Sequence, residues 1–204
     1  MHPRRKARAP LPLVAGFAVF VIVLGWLVAA SVTRRGAPTF PITPAGRTRA
    51  AGWTTAGDTL TLDATDGALW RRASLSLGRA LVPAESARWE IAARRNHVTV
   101  RGTVADLGPL PFDRVRAASS RPAADWSPGE SAASPLRRWY DYSLLTHLLA
   151  TKGHVYAVRA ADGREWKLQI LSYYCPGLRA GCLTVRYAPL DPWVNRAATP
   201  GASR

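Results

Sequence analysis

An all-β domain of antiparallel strands, arranged as a sheet or sandwich with long loops and preceded by one N-terminal transmembrane helix, is the fold class this sequence predicts. Three observations predict it. An uncharged apolar run covers Leu11 to Val32. Short segments that alternate apolar and polar residues recur after it, which is the period of a half-buried strand. Near the C-terminal end, an Asp-Gly pair stands between two β-rich runs, and Cys175 and Cys182 enclose a short Pro/Gly-containing loop.

The apolar run is long enough to cross a bilayer as a helix, which takes about 20 residues. Arg4, Arg5, Lys6 and Arg8 precede it, and only Arg34 and Arg35 follow closely. The positive-inside bias therefore keeps residues 1–10 in the cytoplasm and exports everything after Thr33. Val28-Ala29-Ala30 would serve as a cleavage site, but the apolar core exceeds the ~7 to 15 residues of a signal peptide, so an uncleaved anchor at 11–32 is expected. No cysteine lies near its end for lipid attachment. Gly36, Pro38, Pro41, Pro44 and Gly46 mark 33–52 as a linker, 53–190 has the size of one domain, and 191–204 reads as a flexible tail.

Within that domain Thr59-Leu60-Thr61-Leu62 and Ala73-Ser74-Leu75-Ser76-Leu77 alternate, and Trp89 to Val100 gives two apolar runs joined by Arg94-Arg95-Asn96. Ala117 to Pro135 has no period and is expected as a surface loop inside the domain. Leu144 to Leu149 is the only other helix candidate, and it is short.

Val155 to Arg159 and Glu165 to Ile170 flank Asp162-Gly163, a pair that favours a tight turn because glycine accepts positive φ. With Asp162 and Gly163 as the two loop residues, Trp166, Leu168 and Ile170 share a face with Val155 and Ala157. Lys167 and Gln169 then share the other with Tyr156 and Val158, giving a half-buried ladder. Cys175 and Cys182 bracket Pro-Gly-Leu-Arg-Ala-Gly, so a disulfide staple is the favoured reading in an oxidising compartment. Two buried thiols are the alternative if the domain faces the cytoplasm. Zinc is disfavoured, since there is no second ligand pair nearby.

The formal charge is +15, and six of the 28 basic residues flank the apolar run; the chain beyond Arg35 keeps 22 against 13 acidic residues, a net +9. This suits an acidic partner, but the arginines are scattered and not interleaved with stacking aromatics, so nucleic acid is disfavoured as a partner. No GxSxG, HExxH, P-loop or GxGxxG motif occurs. Histidines with Ser143 or Asp141 give no triad spacing, and an enzyme is not expected.

Trp89-Glu90-Ile91-Ala92-Ala93-Arg94-Arg95-Asn96-His97-Val98 resembles the Trp-Asp-Leu-Ala-Phe-Gln-Arg-Phe-His-Ile type of segment of HmuY-like haem-binding proteins. Pro111-Phe112-Asp113-Arg114-Val115, Trp139-Tyr140-Asp141-Tyr142-Ser143 with Thr146-His147, Val155 to Arg159, Asp162-Gly163, Lys167 to Tyr174 and Gly181-Cys182-Leu183-Thr184 are similar to its later landmarks, in the same order. The chain departs at Ala93 and Asn96, where aromatics are typical, and at Arg101-Gly102-Thr103.

The resemblance implies an all-β, secreted or surface-attached protein that captures haem between strands through axial side chains and passes it to an uptake system, with haem or a haem-carrying protein and an uptake receptor as partners. Neutral imidazoles suit haem iron, apolar walls suit the macrocycle and arginine suits its propionates. His97 and His147 lie on matching segments and are the first-choice ligands; His154, at the hairpin mouth, is the substitute. The competing expectation is a membrane-tethered interaction domain that keeps the fold without the ligand.

Overall fold

The structure, a computed structural model, describes residues 10–32, 37–47, 53, 56–118, 121–144 and 146–190. The expected basic N-terminus through residue 9 and the tail at 191–204 lie outside the described residues. Two compact units divide the chain: Met1–Gly36 with Ser143–Leu148, and Ala37–Tyr142 with Leu149–Arg204.

In the first unit, α1 (Leu11–Val32) is one unbroken helix. Its 22 residues rise about 33 Å, enough for a ~30 Å hydrocarbon core. Apolar side chains are exposed on every face of it, Leu13, Phe17, Phe20, Ile22 and Trp26 among them. A helix without a polar stripe has no side suited to water. Ser143–Leu148 belongs to the same unit, and its described residues form a turn and not the short helix considered above. The Ser143 hydroxyl there accepts from the Thr146 N–H, which offers the backbone an alternative to a helix.

The second unit is built from β1 (Asp58–Asp63), β2 (Arg71–Ser74), β3 (Arg79–Ala80), β4 (Ile91–Arg94), β5 (His97–Val100), β6 (Gly102–Asp106), β7 (Ser127–Pro128), β8 (Tyr140–Tyr142), β9 (Leu149–Thr151), β10 (Val155–Ala160), β11 (Glu165–Tyr174) and β12 (Ala180–Pro189). A six-stranded sheet runs β1-β12-β11-β10-β6-β7, a four-stranded sheet runs β3-β2-β4-β5, and β8 pairs with β9. Every strand pair is antiparallel. Residues 37–47 lie against this unit: the Thr43 N–H donates to the Thr61 carbonyl, and the Thr43 hydroxyl accepts from the Thr61 N–H.

The β10–β11 hairpin corrects the two-residue turn expected from Asp162-Gly163. Val158 pairs with Trp166 and Tyr156 with Leu168, one residue out of the expected register. The Gly163 N–H donates to the Ala160 carbonyl at 2.9 Å and the Ala160 N–H to the Arg164 carbonyl at 2.8 Å, so the loop holds three residues. Gly163 closes it at φ 83°, as a three-residue hairpin with a left-handed last residue requires. A one-residue slip exchanges the faces. Tyr156 and Val158 therefore share a side with Trp166, Leu168 and Ile170, and Val155 and Ala157 share the other with Lys167.

Nor is the ladder half-buried. The Tyr156 side is buried with Leu60, Leu62, Leu183, Val185 and Tyr187 in the main core. The opposite side is covered by the connection after β6, where Leu107, Phe112, Val115 and Ala118 pack on Val155, Ala157 and Ala188. Lys167 is buried in that layer, and its Nζ donates to the Phe112 and Val115 carbonyls at 2.8 and 3.1 Å. Burial pushes this amine below its ordinary value.

Cys175 and Cys182 form a disulfide, both side chains buried, across a sequence separation of 7. Closing so short a loop stabilises by roughly 2 to 3 kcal/mol on the chain-entropy model. The Cys175→Ser/Cys182→Ser variant is expected to lose that amount in urea unfolding under non-reducing conditions; midpoints that coincide with the parent would contradict it.

Candidate functional site

The β4–β5 hairpin presents the chemistry. Its register pairs Arg94 with His97 and Ala92 with Thr99, and β2 sets Arg72 opposite Ala92. Strand alternation puts Arg72, Arg94, His97 and Thr99 on one face, while Ala73, Ile91, Val98 and Val100 turn to the core. The hairpin tip is held: Arg95 adopts φ 52°, the Asn96 carbonyl accepts from Trp139 Nε1 at 2.9 Å, and Asn96 Nδ2 donates to the Tyr140 hydroxyl at 3.0 Å.

A cleft of about 390 Å³ opens on this face, walled by Trp70 and Trp89 and rimmed by Arg72, Arg94, Arg137 and His97. The Arg94 guanidinium sits 4.9 Å from the Trp70 ring and the Arg72 guanidinium 6.0 Å from the Trp89 ring. Such cation–π contacts keep the charges at the ring faces and hold the indoles in place. Gly129, Glu130 and Ser131 form the opposite side. Gly129 is required there, because a Cβ would come within 2.2 Å of the Val100 carbonyl oxygen. Only a bare backbone approaches β5 so closely.

Three guanidiniums face one carboxylate, Glu130, so the cleft favours an anion. The Thr99 Oγ1 is buried with no hydrogen-bond partner among the described residues, and Thr99 lines the cleft. An unmet buried hydroxyl is costly, and a ligand hydrogen bond would relieve it.

His97 is exposed at the start of β5, on the cleft. His154 stands before β10, half-buried, with Nδ1 2.9 and 3.1 Å from the Asp106 carboxylate oxygens; it does not line the cleft. His147 is exposed in Ser143–Leu148 at φ 55°, its backbone N–H donating to the Ser143 carbonyl. Asp141 pairs with Lys152 at 3.7 Å.

Trp70, Arg72, Arg94, Thr99 and Arg137 carry no sequence signal of their own. Arg94-Arg95-Asn96 is the connection expected from the sequence, whereas Arg94 is the last residue of β4 and pairs with His97, so the turn is Arg95-Asn96.

With these elements in place, the chain superposes over about two thirds of its length on solved structures. An apo HmuY analogue from Tannerella forsythia matches at TM-score 0.52 and 16% identity, over 64% of this chain and 94% of that one. The fold is HmuY-like. Apo PinO from Porphyromonas gingivitis matches at TM-score 0.55 and 11% identity, over 68% of this chain and 99% of that one. A Bacteroides vulgatus protein described as HmuY-like and haem-binding matches at TM-score 0.51 and 18% identity, over 65% and 91%. At these identities the likeness is one of fold. Neither a family model nor a curated protein matches the chain.

Proposed function

We propose that this chain is a divergent HmuY-like protein, anchored in a membrane by α1 with its β unit on the extracytoplasmic side, and that it captures haem or a related tetrapyrrole for uptake or storage. One observation carries the reading: an imidazole stands at the rim of a cleft walled by two indoles and rimmed by three guanidiniums, on a fold shared with a protein described as haem-binding. A cleft of this volume lies within the ~300 to 1,000 Å³ of small-molecule sites.

The residues present fit the ligand's chemistry. Haem supplies a flat apolar macrocycle, two carboxylates and an iron that takes neutral imidazole. Trp70 and Trp89 offer apolar faces, Arg72, Arg94 and Arg137 pair with carboxylates, and His97 offers the iron a nitrogen. The unmet Thr99 hydroxyl adds a polar group inside the same cleft. His147 and His154, the other two candidates from the resemblance, are not among the residues that line this cleft. Nδ1 of His154 donates to the Asp106 carboxylate, so the neutral ring carries its lone pair on Nε2. The arginines preceding α1 support an extracytoplasmic β unit, and the disulfide supports an oxidising compartment.

The test is a titration of the purified full-length protein in detergent with haemin. A saturable, sharp low-spin Soret band is expected, lost in His97→Ala and weakened in the Arg72→Ala/Arg94→Ala double variant. His147→Ala and His154→Ala report whether either residue contributes a nitrogen. If His97→Ala titrates like the parent, the ligand assignment fails. If the parent gives no saturable band, the haem reading fails with it.

A further inference from the structure

Beyond Trp89 lies a second and larger cleft, of about 540 Å³. It runs between the turn after β2, the 3-10 turn Pro83–Arg88, the β5–β6 junction and the tip of the β10–β11 hairpin. It holds no imidazole, and Trp89 lines both clefts as the partition between them.

Its base is built around Glu90, only 5% exposed. One Glu90 carboxylate oxygen accepts from the Leu75 N–H at 3.1 Å, and the other accepts from the Ser76 hydroxyl at 2.7 Å and lies 3.5 Å from Arg164. Arg164 also pairs with Asp162. One guanidinium thus answers two carboxylates, and the acidic groups of the cleft are already engaged. The backbone around them is tied together as well: the Arg101 N–H donates to the Glu90 carbonyl at 3.0 Å and the Ala161 N–H to the Arg101 carbonyl at 3.1 Å.

Arg88 and Arg101 also line it. Arg101 spends one Nη1 donor on the Ala87 carbonyl, which orients its guanidinium and leaves other N–H groups of the planar fork. Two further positive charges against the engaged trio of Glu90, Asp162 and Arg164 leave the cleft at +1. The rest of its lining is Ser74 and Ser76, whose hydroxyls are hydrogen-bonded to each other at 2.8 Å, and an apolar wall of the Trp89 ring, Leu77, Ala87, Ala160 and Ala161. A guanidinium fork fits a carboxylate in two parallel hydrogen bonds. The apolar wall would contribute nothing to a bare inorganic anion.

From this arrangement we infer a second ligand site, separate from the His97 cleft, that takes a small organic carboxylate with an apolar body. The carboxylate pairs with Arg88 and Arg101, and the body lies along Trp89 and Leu77. The charge is one and the walls are short, so a monoanion is preferred over a polyanion.

The probe is benzoate, titrated calorimetrically into the full-length protein in detergent, with benzyl alcohol and inorganic phosphate beside it. Saturable benzoate binding is expected, with benzyl alcohol and phosphate each at least tenfold weaker. Arg88→Ala and Arg101→Ala should each weaken benzoate roughly tenfold, the size of one lost charge-assisted hydrogen bond. Arg121→Ala, which removes a surface charge elsewhere, should leave it unchanged. Equal binding of benzyl alcohol or phosphate overturns the proposal, and so do Arg88 and Arg101 variants with the parent's affinity. Arg88 is exposed, so Arg88→Ala decides the matter if Arg101→Ala does not fold.

Discussion

Trp139→Ala is expected to destabilise the β unit by about 3 to 5 kcal/mol, the range for removing a buried aromatic side chain. Trp139 is only 1% exposed and packs edge-on against Tyr140 and Tyr173, with ring centroids 4.9 and 5.9 Å away. Its Nε1 donates to the Asn96 carbonyl at 2.9 Å, which ties β8 to the tip of the β4–β5 hairpin that carries His97. Small domains are stable by only ~5 to 15 kcal/mol in total, so the loss would bring this one close to unfolding. Trp139→Phe separates the contributions: it keeps a ring and loses the hydrogen bond, which is worth about 1 kcal/mol. Urea unfolding measures both, read as a fall in midpoint at constant slope. An alanine variant within about 1 kcal/mol of the parent would mean that this corner relaxes around the missing ring.

Stability is expected to fall steeply above pH 10, with Tyr156 as the main cause. This phenol is buried in β10, and burial first, then the neighbouring Asp106 carboxylate, pushes it well above its ordinary value. Below pH 10 the phenol is neutral in folded and unfolded chains alike, and its contribution is fully present. Above pH 10 the unfolded chain gives up the proton and the folded chain keeps it. The folded state then binds more protons, and stability drops by about 1.4 kcal/mol per pH unit for one such group. Tyr173, also raised by burial, acts in the same direction.

Lys167 acts oppositely. Its lowered value means that the unfolded chain holds the extra proton up to about pH 10, so its contribution rises with pH until that point and is constant beyond it. Tyr156→Phe should flatten the alkaline loss, measured as urea midpoints between pH 9 and 11. An unchanged slope in that variant would assign the loss to other groups.

Much of the fold was legible because strands are written in near neighbours. The Thr59–Leu62 alternation is β1, and the two runs joined at Arg94-Arg95-Asn96 are β4 and β5. Failures came where a contact from far along the chain competes with the local pattern. Ala73–Leu77 alternates throughout, yet β2 ends at Ser74, because Glu90 takes the Leu75 N–H and the Ser76 hydroxyl and turns the chain. Asp162-Gly163 signals a turn correctly but does not tell a two-residue from a three-residue loop, and that one residue decides which face Tyr156 and Lys167 occupy. His97 was legible as a candidate by resemblance. The indoles and guanidiniums around it were not, since each is an ordinary strand or loop residue until its neighbour is known.

What the sequence determined by itself is local: an uncharged run long enough for a bilayer, β-forming segments with their turns, and a pair of cysteines too close to need a long-range partner. Tertiary structure decided which strands meet. Pairing β2 with β4 brings Trp70 and Arg72 beside Arg94 and His97, and the approach of Gly129 to β5 closes the far side of the cleft. Alternation states which side chains share a face but not which strand will lie alongside, because pairing is set by the burial of the whole core and not by adjacent residues.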